Sequence, residues 1–99
     1  MAFPNVPQAY LHAAHTSVVL APNTSVKVLS ASPYTVYGLF ANDGVNKIYL
    51  SFNGPATVGL GIPLVGGDGS YEMGDENLYQ GDVYAISQLG STLLITVGT

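Results

Sequence analysis

The 99-residue chain has the length of one small domain, and its six carboxylates and two lysines give a formal net charge of −4. This charge excludes nucleic-acid binding, because neutralising phosphates requires a basic patch. The absence of cysteine excludes disulfides and thiolate chemistry. No apolar run is long enough to span a bilayer, and the N-terminal stretch does not have the pattern of a secretory signal, so we expect a soluble protein made in the cytoplasm.

Residues 1–14 predict an extended N-terminal arm, and residues 15–99 predict a single all-β domain. Short runs rich in Val, Ile, Tyr, Thr and Leu alternate with proline and glycine turn signals, which is typical of a small antiparallel β-sandwich or barrel of seven to eight short strands. Periodicity does not reveal strand order, so sandwich and barrel both stay open. The predicted strands are His15–Leu20, Ser25–Ala31, Tyr34–Ala41, Asn46–Phe52, Ser70–Met73, Asp82–Ser87 and Thr92–Val97, with Ala56–Leu60 as a weaker eighth.

Turn residues predict two tight hairpins. The Asp-Gly pair in residues 42–44 supplies the positive φ values of a two-residue turn, so we expect it to join the third and fourth strands. Residues 89–91 are expected to close a last hairpin between residues 82–88 and 92–97. The uncharged segment IYLSFNGPATVGLGIPL, residues 48–64, predicts a core strand followed by a loop or edge segment.

Alternation predicts which side chains face the core. Ile48, Leu50 and Phe52 share one face of the fourth strand, and Leu93 begins the corresponding apolar face of the last strand. Leu94 breaks the polar face of that strand. Gly38 indicates either a bulge or a close backbone approach in the third strand.

The composition indicates that part of the surface is covered by other protein. Hydrophobic residues make up 47% of the chain and charged residues only 8%, against about 25% in ordinary soluble domains. A domain this small leaves much of its surface outside. We therefore expect self-association or docking on a larger assembly.

No residue pattern predicts catalysis, a cofactor or a metal site. His12 and His15 would point in opposite directions in an extended segment, and no third ligand accompanies them. No G-x-S-x-G motif surrounds a serine. We therefore predict that the chain is not an enzyme.

The acidic stretch GDGSYEMGDEN, residues 67–77, holds four of the six carboxylates: Asp68, Glu72, Asp75 and Glu76. Counted from Asp68, the third and twelfth positions of a calcium loop are Ser70 and Tyr79, so the pattern fails at the bidentate glutamate. A solvated acidic loop is favoured over a calcium site.

Seven tyrosines suit half-buried positions on a β-sheet, and they are also compatible with sugar stacking. Their spacing does not mark a carbohydrate patch. The chain has no tryptophan, the best stacking residue for sugars.

The C-terminal half, residues 46–99, carries the segments IYLSFNGPATVGLGIPL, GSYEM, NLYQGDVYAIS and STLLITVG. In these segments the chain resembles a group of small virion proteins of tailed bacteriophages, which are encoded among structural genes. The similarity extends more loosely from Ser25 and consists of a β-scaffold pattern without a catalytic signature. It implies a place in the virion and carries over no functional residue.

The resemblance and the low charge together predict a capsid decoration or cement protein. Such a protein would bind the major capsid protein at subunit junctions and oppose the pressure of packaged DNA, as a homo-oligomer and most simply a trimer at three-fold positions. The candidate capsid anchors are apolar residues of the arm, Phe3, Val6, Tyr10 and Leu11. A disordered arm, a tail, neck or fibre component, and a carbohydrate-binding adhesin module stay open as alternatives.

Overall fold

The computed structural model describes residues 12–99 and contains two four-stranded antiparallel sheets, with no helix in that range. The four predicted anchors Phe3, Val6, Tyr10 and Leu11 lie outside the described residues. The prediction of a small antiparallel all-β domain of seven to eight short strands is confirmed, and of the two alternatives that the sequence left open, sandwich and barrel, the structure is the sandwich. The strands are β1 (Ala13–Leu20), β2 (Val26–Leu29), β3 (Tyr37–Asn42), β4 (Ile48–Phe52), β5 (Ile62–Leu64), β6 (Ser70–Met73), β7 (Val83–Ile86) and β8 (Ser91–Gly98).

Strand order makes the sandwich a jelly roll. The first sheet has the order β1-β8-β3-β6 and the second has the order β2-β7-β4-β5. The pairs β4–β5, β3–β6, β2–β7 and β1–β8 are nested around the loop of residues 53–61. The described chain is thus one long antiparallel ribbon, bent at its middle and wound so that successive pairs fall in alternate sheets. This is the arrangement of an eight-stranded jelly roll.

Both hairpins predicted from turn residues are wrong. Strands β3 and β4 lie in different sheets, as do β7 and β8, so residues 42–44 and 89–91 carry the chain across the sandwich. Only β4 and β5 are neighbours both along the described chain and within a sheet. Turn residues specify where the chain bends, but they carry no information about which strand becomes the partner.

The predicted strand at Ala56–Leu60 is also wrong, and β5 lies just after it. Gly59 and Gly61 adopt φ values of 89° and 93°, which side chains of L-residues rarely allow. A Cβ atom on Gly61 would collide with the carbonyl oxygen of Leu50. The glycine therefore lets the ribbon turn tightly enough for Ile62 to pair with Leu50.

The core lies between the sheets and follows the predicted alternation. Ile48, Leu50 and Leu93 are fully buried, whereas Leu94 is 40% exposed. Gly38 marks a close approach rather than a bulge, because its pairing with β8 is regular and an added Cβ atom would lie 2.6 Å from Cε of Met73. The buried cluster comprises Leu20, Phe40, Ile48, Leu50, Leu64, Met73, Val83, Ala85, Leu93 and Ile95.

Asn42 is a buried polar residue that joins both sheets where the chain crosses between them. Its Nδ2 donates to the carbonyl oxygens of Asn46 at 2.7 Å and Leu64 at 3.0 Å. Its Oδ1 accepts from the backbone N–H of Gly44 at 3.0 Å and from Oγ of Ser91 at 2.7 Å. Both donors and both acceptor positions of the amide are therefore satisfied.

Replacing Asn42 by alanine is expected to lower the free energy of unfolding by roughly 2–4 kcal/mol, because buried partners on several segments lose their hydrogen bonds. Chemical denaturation measures this change. Ser87→Ala is the matched control, since Ser87 is also fully buried but its Oγ has no hydrogen-bond partner in the described structure. We expect Ser87→Ala to be neutral or stabilising. Equal losses in the two variants would contradict the role given to the Asn42 amide.

Candidate functional site

The outer face of the first sheet is nearly uncharged. One row of paired residues crosses this face from His15 through Thr96 and Leu39 to Glu72. The neighbouring row on the same face contains Leu94, which is partly exposed. Val19, farther along β1, is 78% exposed. Strands β1 and β8 contain no Asp, Glu, Lys or Arg at all. This face can therefore be covered by another protein without desolvating charges, except at the β6 side.

Three of the four sheet edges are closed by local features. In β2, Lys27 is exposed and the register with β7 shifts between Lys27 and Leu29. Strand β5 has only three residues and contains Pro63. In β6, the carbonyl of Glu72 accepts a hydrogen bond from Nδ2 of Asn77 at 2.9 Å, so the following turn caps this edge. Charges, bulges, prolines and short length are the features that block strand addition.

Strand β1 is the exception, because its edge has none of these features. It spans eight residues without proline or charge, and all eight pair with β8 in one unbroken register. Side chains from Ala13 to Ser17 are exposed on both faces. The described part of the chain places no strand on the other side of β1. A long, regular, uncharged edge of this kind is a site for adding another strand.

Hydrogen bonding identifies which backbone groups point outward from β1. His12 and Thr99 exchange both N–H···O bonds, at 3.3 and 2.8 Å. Because hydrogen-bonded pairs alternate along an antiparallel ladder, the even-numbered residues of β1 face β8. The backbone N–H and C=O groups of Ala13, His15, Ser17 and Val19 therefore point to the free edge. We call this row of groups the β1 edge.

The two histidines lie near this edge. Nδ1 of His15 lies 2.9 Å from Oγ1 of Thr96, an exposed contact on the outer face. His12 contributes its backbone to the pairing with Thr99. No cluster of three or more potential metal ligands occurs within residues 12–99. The same residues include no helix able to cross a membrane.

The carboxylates of the acidic stretch do not converge. Asp68 lies in an exposed turn, whereas Glu72 lies on β6 and accepts a hydrogen bond from the hydroxyl of Tyr37. Asp75 and Glu76 occupy the exposed turn after β6. The stretch is thus divided between two turns and a strand, which supports a solvated surface over a cation site.

Some of the tyrosines form a structural cluster. The ring of Tyr79 stacks on Phe52 with centroids 4.7 Å apart and an interplanar angle of 11°. Tyr71 contacts the same Phe52 ring at 5.9 Å in a tilted arrangement. Because Phe52 belongs to the second sheet and Tyr71 to the first, these rings help to hold the sheets together.

The resemblance to phage virion proteins stays a prediction. The chain matches no protein-family model, and searches of curated proteins and of solved structures gave no match. The sequence predictions named no residue of the β1 edge as a site. A strand without charge or proline was the available signal, but the predicted strands Tyr34–Ala41 and Thr92–Val97 also lack both. Only the pairing pattern shows which edge is open.

Adding calcium at millimolar concentration is expected to leave the midpoint of thermal unfolding unchanged, because the four carboxylates do not share a site. Thermal unfolding followed by circular dichroism measures the midpoint, with magnesium at equal ionic strength as the control. A rise with calcium but not with magnesium would contradict the assignment of residues 67–77 as a solvated surface.

Proposed function

We propose that the chain is a structural protein of a tailed-bacteriophage virion, namely a capsid decoration protein that binds the major capsid protein at subunit junctions and stabilises the head. The observation that carries this proposal is the nearly uncharged outer face of the first sheet. Five carboxylates lie outside the sheets or at a strand's end, and only Glu72 lies within this face. The face is therefore suited to lie flat against a repeated protein surface.

Docking would stabilise the capsid through many small additive contacts. Each bound copy would remove the exposed parts of Val19, Leu39 and Leu94 from water, which contributes roughly 25 cal/mol for each Å² of apolar surface buried. Because the docked chain binds the assembled capsid in preference to its separated subunits, binding shifts the equilibrium toward the assembled state. This role needs no catalytic group, and the proposal assigns none.

The fold agrees with the proposal. Jelly rolls occur in viral capsid proteins and also in lectin domains, so the same architecture serves both kinds of function. The anchoring role of Phe3, Val6, Tyr10 and Leu11 stays a prediction, as does the homotrimer. A ring of copies that joined β1 of one to β6 of the next would require removal of the Asn77 cap from Glu72.

The number of copies in each virion tests the proposal. Quantitative mass spectrometry of purified particles of the encoding phage is expected to find on the order of hundreds of copies, because a decoration protein follows the repeated capsid lattice. About a dozen copies or fewer would instead place the chain in the neck, tail or fibres. Complete absence from particles would contradict a virion role.

A charge introduced on the outer face of the first sheet tests whether that face is the capsid contact. Leu94→Lys is expected to reduce incorporation into particles by about tenfold or more, since docking would bury an unpaired ammonium group. Leu89→Lys is the matched control, because Leu89 is 70% exposed and lies in the turn before β8. Equal incorporation of the two variants would rule out the outer face of the first sheet as the capsid contact.

Carbohydrate binding is the second candidate function, and one surface groove favours it. The groove is lined by Asn46, Lys47, Tyr49, Gln88 and Leu89, which combine an aromatic ring with amide groups. The ammonium group of Lys47 lies over the Tyr49 ring, 5.9 Å from its centre, so a sugar stacked on the same face would have to displace it. Carbohydrate binding at this groove is therefore less favoured than protein docking on the outer face of the first sheet.

Glycan binding would appear as chemical-shift changes of Tyr49 and Gln88 when a glycan panel is added to labelled protein. The Tyr49→Ala variant would lose the response, whereas Tyr34→Ala would keep it, since Tyr34 is 75% exposed and does not line the groove. We expect no response from the unmodified chain. A response that depends on Tyr49 would replace the capsid proposal with an adhesin module.

A further inference from the structure

We propose that two copies of this chain pair through the β1 edge, strand against antiparallel strand, and form a two-fold dimer. The two first sheets would then join into one continuous eight-stranded sheet. This inference goes beyond the capsid proposal, because it follows from the open edge alone and holds whether or not the chain binds a capsid.

The backbone of β1 determines which registers can form. Only odd-numbered residues present N–H and C=O groups at the free edge, so an odd-numbered residue must face an odd-numbered residue of the second copy. A two-fold axis at Thr16 meets this condition and keeps all the contacts within the eight residues of β1. In that register His15 faces Ser17 of the second copy, and Ala13 faces Val19.

Side chains in this register are complementary. Thr16 faces its own counterpart, and Val18 faces Ala14 of the second copy on the core side of the sheet. Ala14 and Thr16 are exposed within a single chain, whereas Val18 is half-buried, so pairing would extend the core over a surface that is bare in one copy. Apolar cross-strand pairs of this kind stabilise antiparallel sheets.

Electrostatics and the other edges favour a second copy as the occupant. Two chains of net charge −4 can approach at this edge because neither β1 nor its neighbour β8 carries a charged residue. The β6 edge of the same sheet is capped by Asn77, so β1 has only another β1 as an open counterpart in the first sheet. A two-fold contact between identical edges also closes on itself and does not grow into a fibre.

The solution mass of the full chain tests the dimer. Light scattering behind size exclusion, from micromolar to millimolar concentration, is expected to give a concentration-dependent shift from monomer to dimer. Ser17→Pro is expected to raise the dissociation constant about tenfold or more, because it removes the N–H that would donate to the carbonyl of His15 in the second copy. The β1–β8 ladder does not use that N–H, so the fold should persist.

Two lysine variants distinguish a loss of dimerisation from a loss of folding. Ser17→Lys keeps the backbone N–H but places two like charges at diagonal cross-strand positions of the dimer, each facing His15 of the other copy, and it should also weaken the dimer. Leu60→Lys is the matched control, since Leu60 is 66% exposed and lies in the loop between β4 and β5. It should dimerise like the unmodified chain. Unchanged circular dichroism would show that each variant is folded.

Single cysteines test the register, because the chain has no native cysteine. Thr16→Cys is expected to form a disulfide-linked dimer on oxidation, since residues opposite each other in a non-hydrogen-bonded pair have Cβ atoms about 4.5–5.5 Å apart. Val19→Cys is the control, because Val19 faces Ala13 of the second copy and its counterpart lies several residues away. Equal cross-linking of both variants would overturn the register.

The remaining outcomes are equally decisive. A monomer at every concentration, a trimer, or a dimer that survives both Ser17→Pro and Ser17→Lys would overturn edge pairing. Copy number in virions is measured independently, so a failed dimer does not remove the capsid role. Conversely, a dimer of a chain that is absent from particles would support this inference alone.

Discussion

The nested antiparallel pairing of the chain is the constraint on which the rest of the structure depends. The ribbon closes at β4 and β5, and each further pair of strands joins residues that lie farther apart in sequence, ending with Ala13 opposite Gly98. Once β4 and β5 are in register, the segments that connect successive strands bring the outer pairs into alignment. Asn42 stabilises the crossover between sheets by bonding to Leu64 of the second sheet and Ser91 of the first, both of which belong to the other arm of the ribbon.

Winding the ribbon also determines which strand is left at the edge. The outermost pair is β1–β8, and β8 is covered on its other side by β3, so β1 remains with one free side among the described residues. The other edges carry a lysine, a proline or an asparagine cap. An edge so different from the other three suits a contact surface more than a solvated boundary.

The sequence predicted the strands well and their partners poorly. Alternation identified Ile48, Leu50 and Leu93 as core residues because the period of a strand is local. Residues 42–44 have the composition of a hairpin turn, yet the side chain of Asn42 is used in long-range hydrogen bonds that no local pattern reveals. Gly61 was part of a segment assigned to loop or edge, but its close approach to Leu50 is visible only in the folded chain.

The candidate surface, like the strand partners, depends on long-range pairing that no local sequence pattern reveals. Low overall charge predicted a partner-covered surface, but composition could not locate it. Three features of the folded chain identify the β1 edge as that surface: the even-numbered residues face β8, the β6 edge is capped, and Ala14 and Thr16 are exposed on their core side. These facts also make self-pairing the most direct use of the edge, with the uncharged sheet face left available for a larger assembly.

Amide hydrogen exchange along β1, followed residue by residue by NMR at increasing protein concentration, tests the account most directly. In dilute solution the amides of Ala14, Thr16 and Val18 should be protected by β8, and those of His15 and Ser17 should exchange rapidly. The latter two should become protected as the concentration rises. Protection of His15 and Ser17 already in dilute monomer, or rapid exchange of both at every concentration, would contradict an open edge that pairs with its own copy.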